Sequence, residues 1–174
     1  MNQKRFLTVS LLLIVLSFAA NAQSGNIQYE KGYRPDVELS WGNKSAFEIT
    51  TSQGYNFGNG FYVGGGVGFS QDRLNDLYET KTYLVPVFAE SKYTFTRTKL
   101  YPTIGVRTGV QVDINNSGMR YMLNPYLSLG LHRFALIVGY ELCAPVAEIG
   151  KWATPGYADL KAINRVKLGI GFTF

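Results

Sequence analysis

The sequence predicts an all-β fold, an eight-stranded antiparallel up-and-down transmembrane β-barrel. Three observations lead there. Apolar residues recur at every second position in segment after segment, and no long stretch keeps a helical period. The connections between these segments alternate between short and long. The chain is also rich in glycine and aromatics, with 19 Gly, 12 Tyr and 11 Phe, while only 17% of its 174 residues are charged. That balance is too apolar for disorder. A mean hydropathy of −0.03 is far too low for a bundle of membrane helices. A single Cys cannot close an intrachain disulfide, and with a single His it excludes a Cys/His zinc module.

The N-terminus reads as an address. Lys4 and Arg5 precede an apolar run from Phe6 to Ala20, followed by Asn21, Ala22 and Gln23. A basic n-region, an apolar h-region and the cleavage site Ala20-Asn21-Ala22 mark residues 1–22 as a cleaved Sec signal peptide. The run falls short of the roughly 20 apolar residues of a spanning helix. Gln rather than Cys at position 23 argues against a lipoprotein anchor. Residues 23–32 form a short polar lead and 33–174 the barrel. Of the formal net charge of +5, two units sit on Lys4 and Arg5. The remainder gives no argument for a nucleic-acid partner.

The predicted strands cover 33–42, 45–56, 61–69, 81–95, 101–113, 121–131, 134–142 and 163–174. The first sets Val37, Leu39 and Trp41 against Asp36, Glu38 and Ser40. The third sets Phe61, Val63, Val67 and Phe69 against Tyr62, Gly64, Gly66 and Gly68. In the fifth, Ile104, Val106, Val110 and Val112 oppose Thr103, Gly105, Arg107, Gly109 and Gln111. The seventh offers Phe134, Leu136, Val138, Tyr140 and Leu142. The eighth is clearest, with Val166, Leu168, Ile170, Phe172 and Phe174 opposite Arg165, Lys167, Gly169, Gly171 and Thr173. Connections 57–60, 96–100 and 132–133 are short. Connections 70–80, 114–120 and 143–162 are long, and only the link at 42–44 breaks the alternation. Short turns at one end and long loops at the other fit an outer-membrane barrel, with the turns in the periplasm.

Period two does not say which face points outward, and a lipocalin-like barrel would turn its apolar face inward. Three features favour outward. Glycine on the polar face suits a tight lumen crowded by a few large side chains, whereas on a solvated exterior it would only weaken the strands. Aromatics such as Trp41, Tyr55, Phe57, Phe61, Tyr93, Phe95 and Phe134 gather near strand ends, where a membrane interface favours them. The chain ends on Phe174, with Phe172 two residues before it. Closure then removes every sheet edge, so that no backbone polar group is left unpaired in lipid.

Several segments resemble small outer-membrane β-barrel proteins of Bacteroides-like bacteria. They are Lys31-Gly32-Tyr33-Arg34 with Trp41-Gly42, the run Phe61–Gly68, Val85-Pro86-Val87-Phe88-Ala89-Glu90, Leu123-Asn124-Pro125-Tyr126, and the ending Gly169-Ile170-Gly171-Phe172-Thr173-Phe174. The architecture is similar to the OmpX and OmpA type. The resemblance implies insertion by the barrel-assembly machinery, with Phe172 and Phe174 in the C-terminal assembly signal. It implies no single biochemical activity.

Glu38, Glu48, Glu90 and Glu141 fall on the inferred inner face with Lys92, Arg107, Arg165 and Lys167. Asp36 and Asp113 fall near the mouths. Buried charges need partners, and eight strands leave a bore just wide enough for side chains to fill. The expectation is therefore a structural ion-pair plug, with a narrow channel or transporter for small solutes as the alternative. Arg107→Ala or Glu90→Ala is expected to destabilise the barrel without opening a conductance. A soluble ligand-binding barrel and an outer-membrane enzyme are weaker readings. His132 sits in a turn, Cys143 lies about a strand length away as an apolar filler, and nothing converges on either, so no enzymatic activity and no cofactor are expected. Gly64-Gly65-Gly66 opens no helix and is no phosphate loop. Asp72, Asp76 and Glu79 lack EF-hand spacing and read as a solvated loop. The loop 143–162 carries Ile149, Trp152 and Tyr157, too apolar for mere solvation, and is the candidate surface-binding segment. The expected partners are outer-membrane lipid, lipopolysaccharide and an extracellular protein.

Overall fold

The computed structural model describes residues 30–43, 46–73, 81–96, 98–114, 119–145 and 163–174. The signal peptide, most of the polar lead, and Ile149, Trp152 and Tyr157 lie outside the described residues. Eight strands follow in order: β1 Gly32–Gly42, β2 Ala46–Asn56, β3 Phe61–Arg73, β4 Lys81–Thr94, β5 Leu100–Asp113, β6 Met119–Leu131, β7 Phe134–Pro145 and β8 Ile163–Thr173. Each pairs antiparallel with its neighbours, and β1 closes on β8 from Asp36↔Thr173 to Gly42↔Lys167. The result is a closed up-and-down barrel.

The alternation read from the sequence places the apolar face outward. Leu127, Leu136, Val138, Leu168 and Ile170 all stand exposed on the outer wall, while Glu38, Glu90, Arg107 and Lys167 are buried inside. Aromatics flank this apolar band at both ends. At the loop end Trp41 meets Phe47 at 6.0 Å between ring centroids, and Phe69 stacks on Tyr83 at 5.7 Å. At the turn end Tyr55, Phe57 and Phe61 run together, Tyr93 meets Phe95, and Phe172 bridges Phe134 and Phe174.

The tight turns have local causes. Between β2 and β3, Gly58 and Gly60 take φ of 80° and 88°, where a Cβ is disfavoured. The Asn56 and Asn59 side chains accept hydrogen bonds from the amides of Gly58 and Phe61 at 3.1 and 3.0 Å. Between β6 and β7 the turn has only two residues, His132 and Arg133, and His132 takes φ of 56°, the sign that two-residue hairpins demand.

Three boundaries move by more than one residue from the sequence expectation, all at the loop end. β3 continues to Arg73, β6 starts at Met119 and β7 continues to Pro145. Positions 70–73, 119–120 and 143–145 are therefore strand, not loop. The inward phase simply carries on: Asp72 follows Ser70, Arg120 precedes Met122 and Cys143 follows Glu141, each pointing into the bore. What stops at this height is the lipid-facing run of aliphatic residues that marks a strand in sequence.

Candidate functional site: the bore

The inward face carries two sets of ion pairs, stacked along the axis. The turn-end set contains Arg34, Asp36 and Glu38 of β1, Glu90 and Lys92 of β4, and Arg107 of β5. Arg107 is the hub: its Nη2 lies 2.5 Å from Glu38 Oε2 and its Nε donates to Glu90 Oε1 at 2.8 Å. Glu90 also accepts from Ser52 at 2.5 Å and from the Tyr126 hydroxyl at 2.7 Å. Lys92 bonds Asp36 and lies 3.9 Å from Glu90. Asp36 in turn accepts from Thr173 at 2.5 Å and lies 3.5 Å from Arg34 Nε.

Aromatic rings complete this set. Lys92 Nζ sits 4.2 Å from the Tyr62 ring centre, and the Arg107 guanidinium lies 4.9 Å from Tyr126 and 5.3 Å from Phe88. Such cation–π contacts favour desolvated cations. Glycines clear the room. A Cβ on Gly105 would lie 2.3 Å from Tyr126, one on Gly130 2.0 Å from Tyr101, and one on Gly66 2.4 Å from Phe88. Tyr62, expected on the inward face, is joined there by Phe88, Tyr101 and Tyr126, which the sequence reading did not place inward; each fills the bore against a strand glycine.

The loop-end set contains Glu48 of β2, Asp72 of β3, Arg120 of β6, Glu141 of β7, and Arg165 and Lys167 of β8. Arg165 reaches three acids: Glu141 at 2.5 Å, Asp72 at 3.0 Å and Glu48 at 3.9 Å. Lys167 bonds Glu48 and lies 3.0 Å from Glu141. Arg120 donates to Asp72 at 2.7 Å and to Gln111 at 2.5 Å. The Cys143 thiol donates to Glu141 at 3.3 Å, and Cys143 also packs with Phe88 and Met122 in a small apolar cluster between the two sets. Asp113 faces the bore at this end and is buried too.

The eight lumen residues expected from the sequence all lie in these two sets. Among the described residues, no ion pair joins one set to the other. Arg34, Asp72 and Arg120 were missed, and their signal was phase: each sits an even number of residues from an inward neighbour. Asp72, read as part of a solvated loop, is instead buried between Arg120 and Arg165, while Asp76 and Glu79 lie outside the described residues. No group of three His, Cys, Asp or Glu side chains is poised to hold a metal ion among the described residues. His132 and Cys143 stand at opposite ends of β7. A cavity of about 40 Å³ opens beside the turn-end set, lined by Arg34, Glu38, Arg107, Ser128 and Ala135 among others.

The surroundings explain the chemistry. Buried charges are tolerated here because each has an opposite partner at hydrogen-bond or near-contact distance. Three acids face three bases in each set, and Asp113 adds a further buried acid at the loop end. Ser52 and Cys143 place a hydroxyl and a thiol against Glu90 and Glu141, but each of these carboxylates is already held by a buried cation. The arrangement can hold the wall in register.

No protein-family model matches the chain, and no curated protein matches it. Solved structures do resemble it in fold. The Yersinia pestis outer membrane protein Ail, in a phospholipid bilayer nanodisc, gives a TM-score of 0.53 at 12% identity, over 83% of this chain and 100% of that one. Neisserial surface protein A gives 0.50 at 17% identity, over 82% and 95%. A de novo designed transmembrane β-barrel gives 0.48 at 12% identity, over 87% and 98%. None of these supports a Bacteroides-specific family. The likeness is one of architecture: the chain has the eight-stranded up-and-down barrel found in small outer-membrane proteins.

Proposed function

We propose that this protein is a small integral outer-membrane barrel, exported by its signal peptide, with a plugged bore and a structural or surface-interaction role carried by its long loops. One observation carries the reading: an apolar outer wall between two aromatic girdles encloses two sets of buried ion pairs. Lipid suits the outer wall, and lipopolysaccharide suits the loop-end girdle of Trp41, Phe47, Phe69 and Tyr83. Phe172 and Phe174, at the turn-end close of β8, are the residues offered to the barrel-assembly machinery. Ile149, Trp152 and Tyr157 remain the candidate contacts for an extracellular protein. The separation of His132 from Cys143 supports a non-enzymatic role.

The test has two parts. The protein should pellet with membranes and migrate differently on SDS gels before and after boiling. Ile170 stands on the outer wall, in register with Leu39 and Leu136. Ile170→Arg is expected to cost about 2–4 kcal/mol near the bilayer midplane, and Val67→Arg a similar amount. On a water-facing wall either change would stay within about 0.5 kcal/mol, and unaltered stability in both variants would reverse the reading. Planar-bilayer recordings of the wild type are expected to show no steady conductance. A steady open state would replace the plug with the narrow-channel alternative.

A further inference from the structure

The two halves of the bore differ in access to water. At the loop end Gln111, Arg120 and Glu141 have no accessible surface, and Cys143 and Met122 keep only 3% each. At the turn end the inward positions Ser128, Ala135 and Ile137 are only half-buried. They line the cavity of about 40 Å³ together with Gly171. That wall is built from small residues brought side by side by the register, with Ser128 opposite Ile137 and Ala135 opposite Gly171. The far wall is charged, with Arg34, Asp36 and Lys92 near the mouth and the Glu38–Arg107 pair deeper in. No member of the loop-end set lines the cavity.

We propose that the turn-end half of the bore is a dead-end, water-filled vestibule. It admits small hydrophilic solutes as far as the Glu38–Arg107 pair, while the loop-end half is sealed. At about 10–15 Å³ for each water, the space beside the ion pairs holds about three. Its mixed lining, with both charge signs and the hydroxyls of Thr103, Tyr126 and Ser128, gives such waters the several polar partners they need. Paired charges discourage a lone anion or cation, since either would have to displace an existing partner at 2.5–2.8 Å. The ligand class is therefore water and the smallest uncharged polar solutes. This inference rests on the plugged-bore reading, because a through-channel would hydrate both halves.

Thiol labelling in nanodiscs, where both mouths face solvent, tests it. The probe is methyl methanethiosulfonate, which is small and uncharged, because the paired charges discourage an ion. A thiolate attacks its sulfur, forms the mixed disulfide and releases the sulfinate, at a rate set by access and by thiolate character. Ser128→Cys and Ala135→Cys place thiols in the vestibule, and native Cys143 reports the sealed half. Both new thiols are expected to react at least about tenfold faster than Cys143, in protein that keeps its folded gel mobility. In the wild type, NMR cross-peaks from water are expected at the Ala135 methyl and not at the Met122 methyl, which serves even if neither variant folds. Vestibule thiols as slow as Cys143, or no water contact at Ala135, would overturn the vestibule and leave the plug intact. Rapid labelling of Cys143 in the folded barrel would overturn both.

Discussion

Each of the two ion-pair sets joins three acids to three bases, yet the sets are exposed and supported differently. At the turn end the charges share space with Tyr62, Phe88, Tyr101 and Tyr126, and Arg107, Glu38 and Lys92 line a cavity. At the loop end no ring contacts a described cation, and Arg120, Gln111 and Glu141 are sealed by one another. The turn end thus fills its volume with aromatics set against glycines and leaves a remainder for water. The loop end fills its volume with the charged side chains themselves. Identical charge counts can therefore produce different sensitivities: electrostatic pairing dominates at the loop end, and packing shares the load at the turn end.

The largest effect should come from removing one hub from each set. Arg165→Ala takes away the partner shared by Glu141, Asp72 and Glu48; Lys167 and Arg120 remain, so that three buried acids face two bases. Breaking such a buried set by losing one partner costs about 3–5 kcal/mol. Arg107→Ala strips Glu38 and Glu90 in the same way, but Glu90 keeps Ser52 and Tyr126, and Glu38 lines the cavity. A cost nearer 1–3 kcal/mol is expected there, about that of an incompletely satisfied buried group. Urea titrations in lipid vesicles, read by the gel shift between folded and unfolded forms, measure both. Equal losses, or a larger loss for Arg107→Ala, would break the comparison.

Glycine substitutions sharpen the packing side. A Cβ on Gly105 would lie 2.3 Å from Tyr126, a ring fixed by its bond to Glu90 and its place over Arg107. Gly105→Ala is expected to cost about 1–3 kcal/mol as an overpacked site. At the loop end, a Cβ on Gly42 would approach the flexible Arg165 Cδ at 3.1 Å. Small shifts relieve that contact, and Gly42→Ala should cost less than about 1 kcal/mol. The same urea titration compares them, and a Gly42→Ala loss as large as that of Gly105→Ala would mean the loop end is packed as rigidly as the turn end.

The difference between the ends also explains how much the sequence disclosed. Strand β8 was legible almost residue by residue, because Val166, Leu168 and Ile170 alternate without exception with Arg165, Lys167 and Gly169. Glu38, Glu90 and Arg107 were legible as lumen residues for the same reason. Asp72 and Arg120 were not, since beyond Phe69 and before Tyr121 the outward residues Gln71 and Met119 no longer read as an aliphatic lipid face. Charged residues there look like a solvated loop until register carries them inward. The pairing of Arg120 with Asp72 also joins β6 to β3 across the bore, a contact that no local pattern encodes. Tyr62 was legible on the inward face of β3, but Tyr126 and Tyr101 were not: they are as apolar as lipid-facing residues, and only the glycines opposite them mark the slots they occupy.

The smallest expected effect isolates one hydrogen bond at the turn end. The Tyr101 hydroxyl donates to the His132 carbonyl at 2.8 Å, holding the two-residue turn while the ring lies over Gly130. His132 keeps its amide bond to the Lys99 carbonyl at 3.3 Å, and the Arg133 carbonyl accepts from Thr173 at 2.9 Å. Tyr101→Phe removes the hydroxyl and leaves the ring in its slot. The expected cost is about 1 kcal/mol, the ordinary net worth of one such bond. Amide exchange should quicken at His132 and stay unchanged at Arg165 and Lys167, because the two ends share no ion pair among the described residues. Faster exchange at both ends would show that the halves of the bore open together, and the separation drawn between them would then be one of chemistry and not of stability.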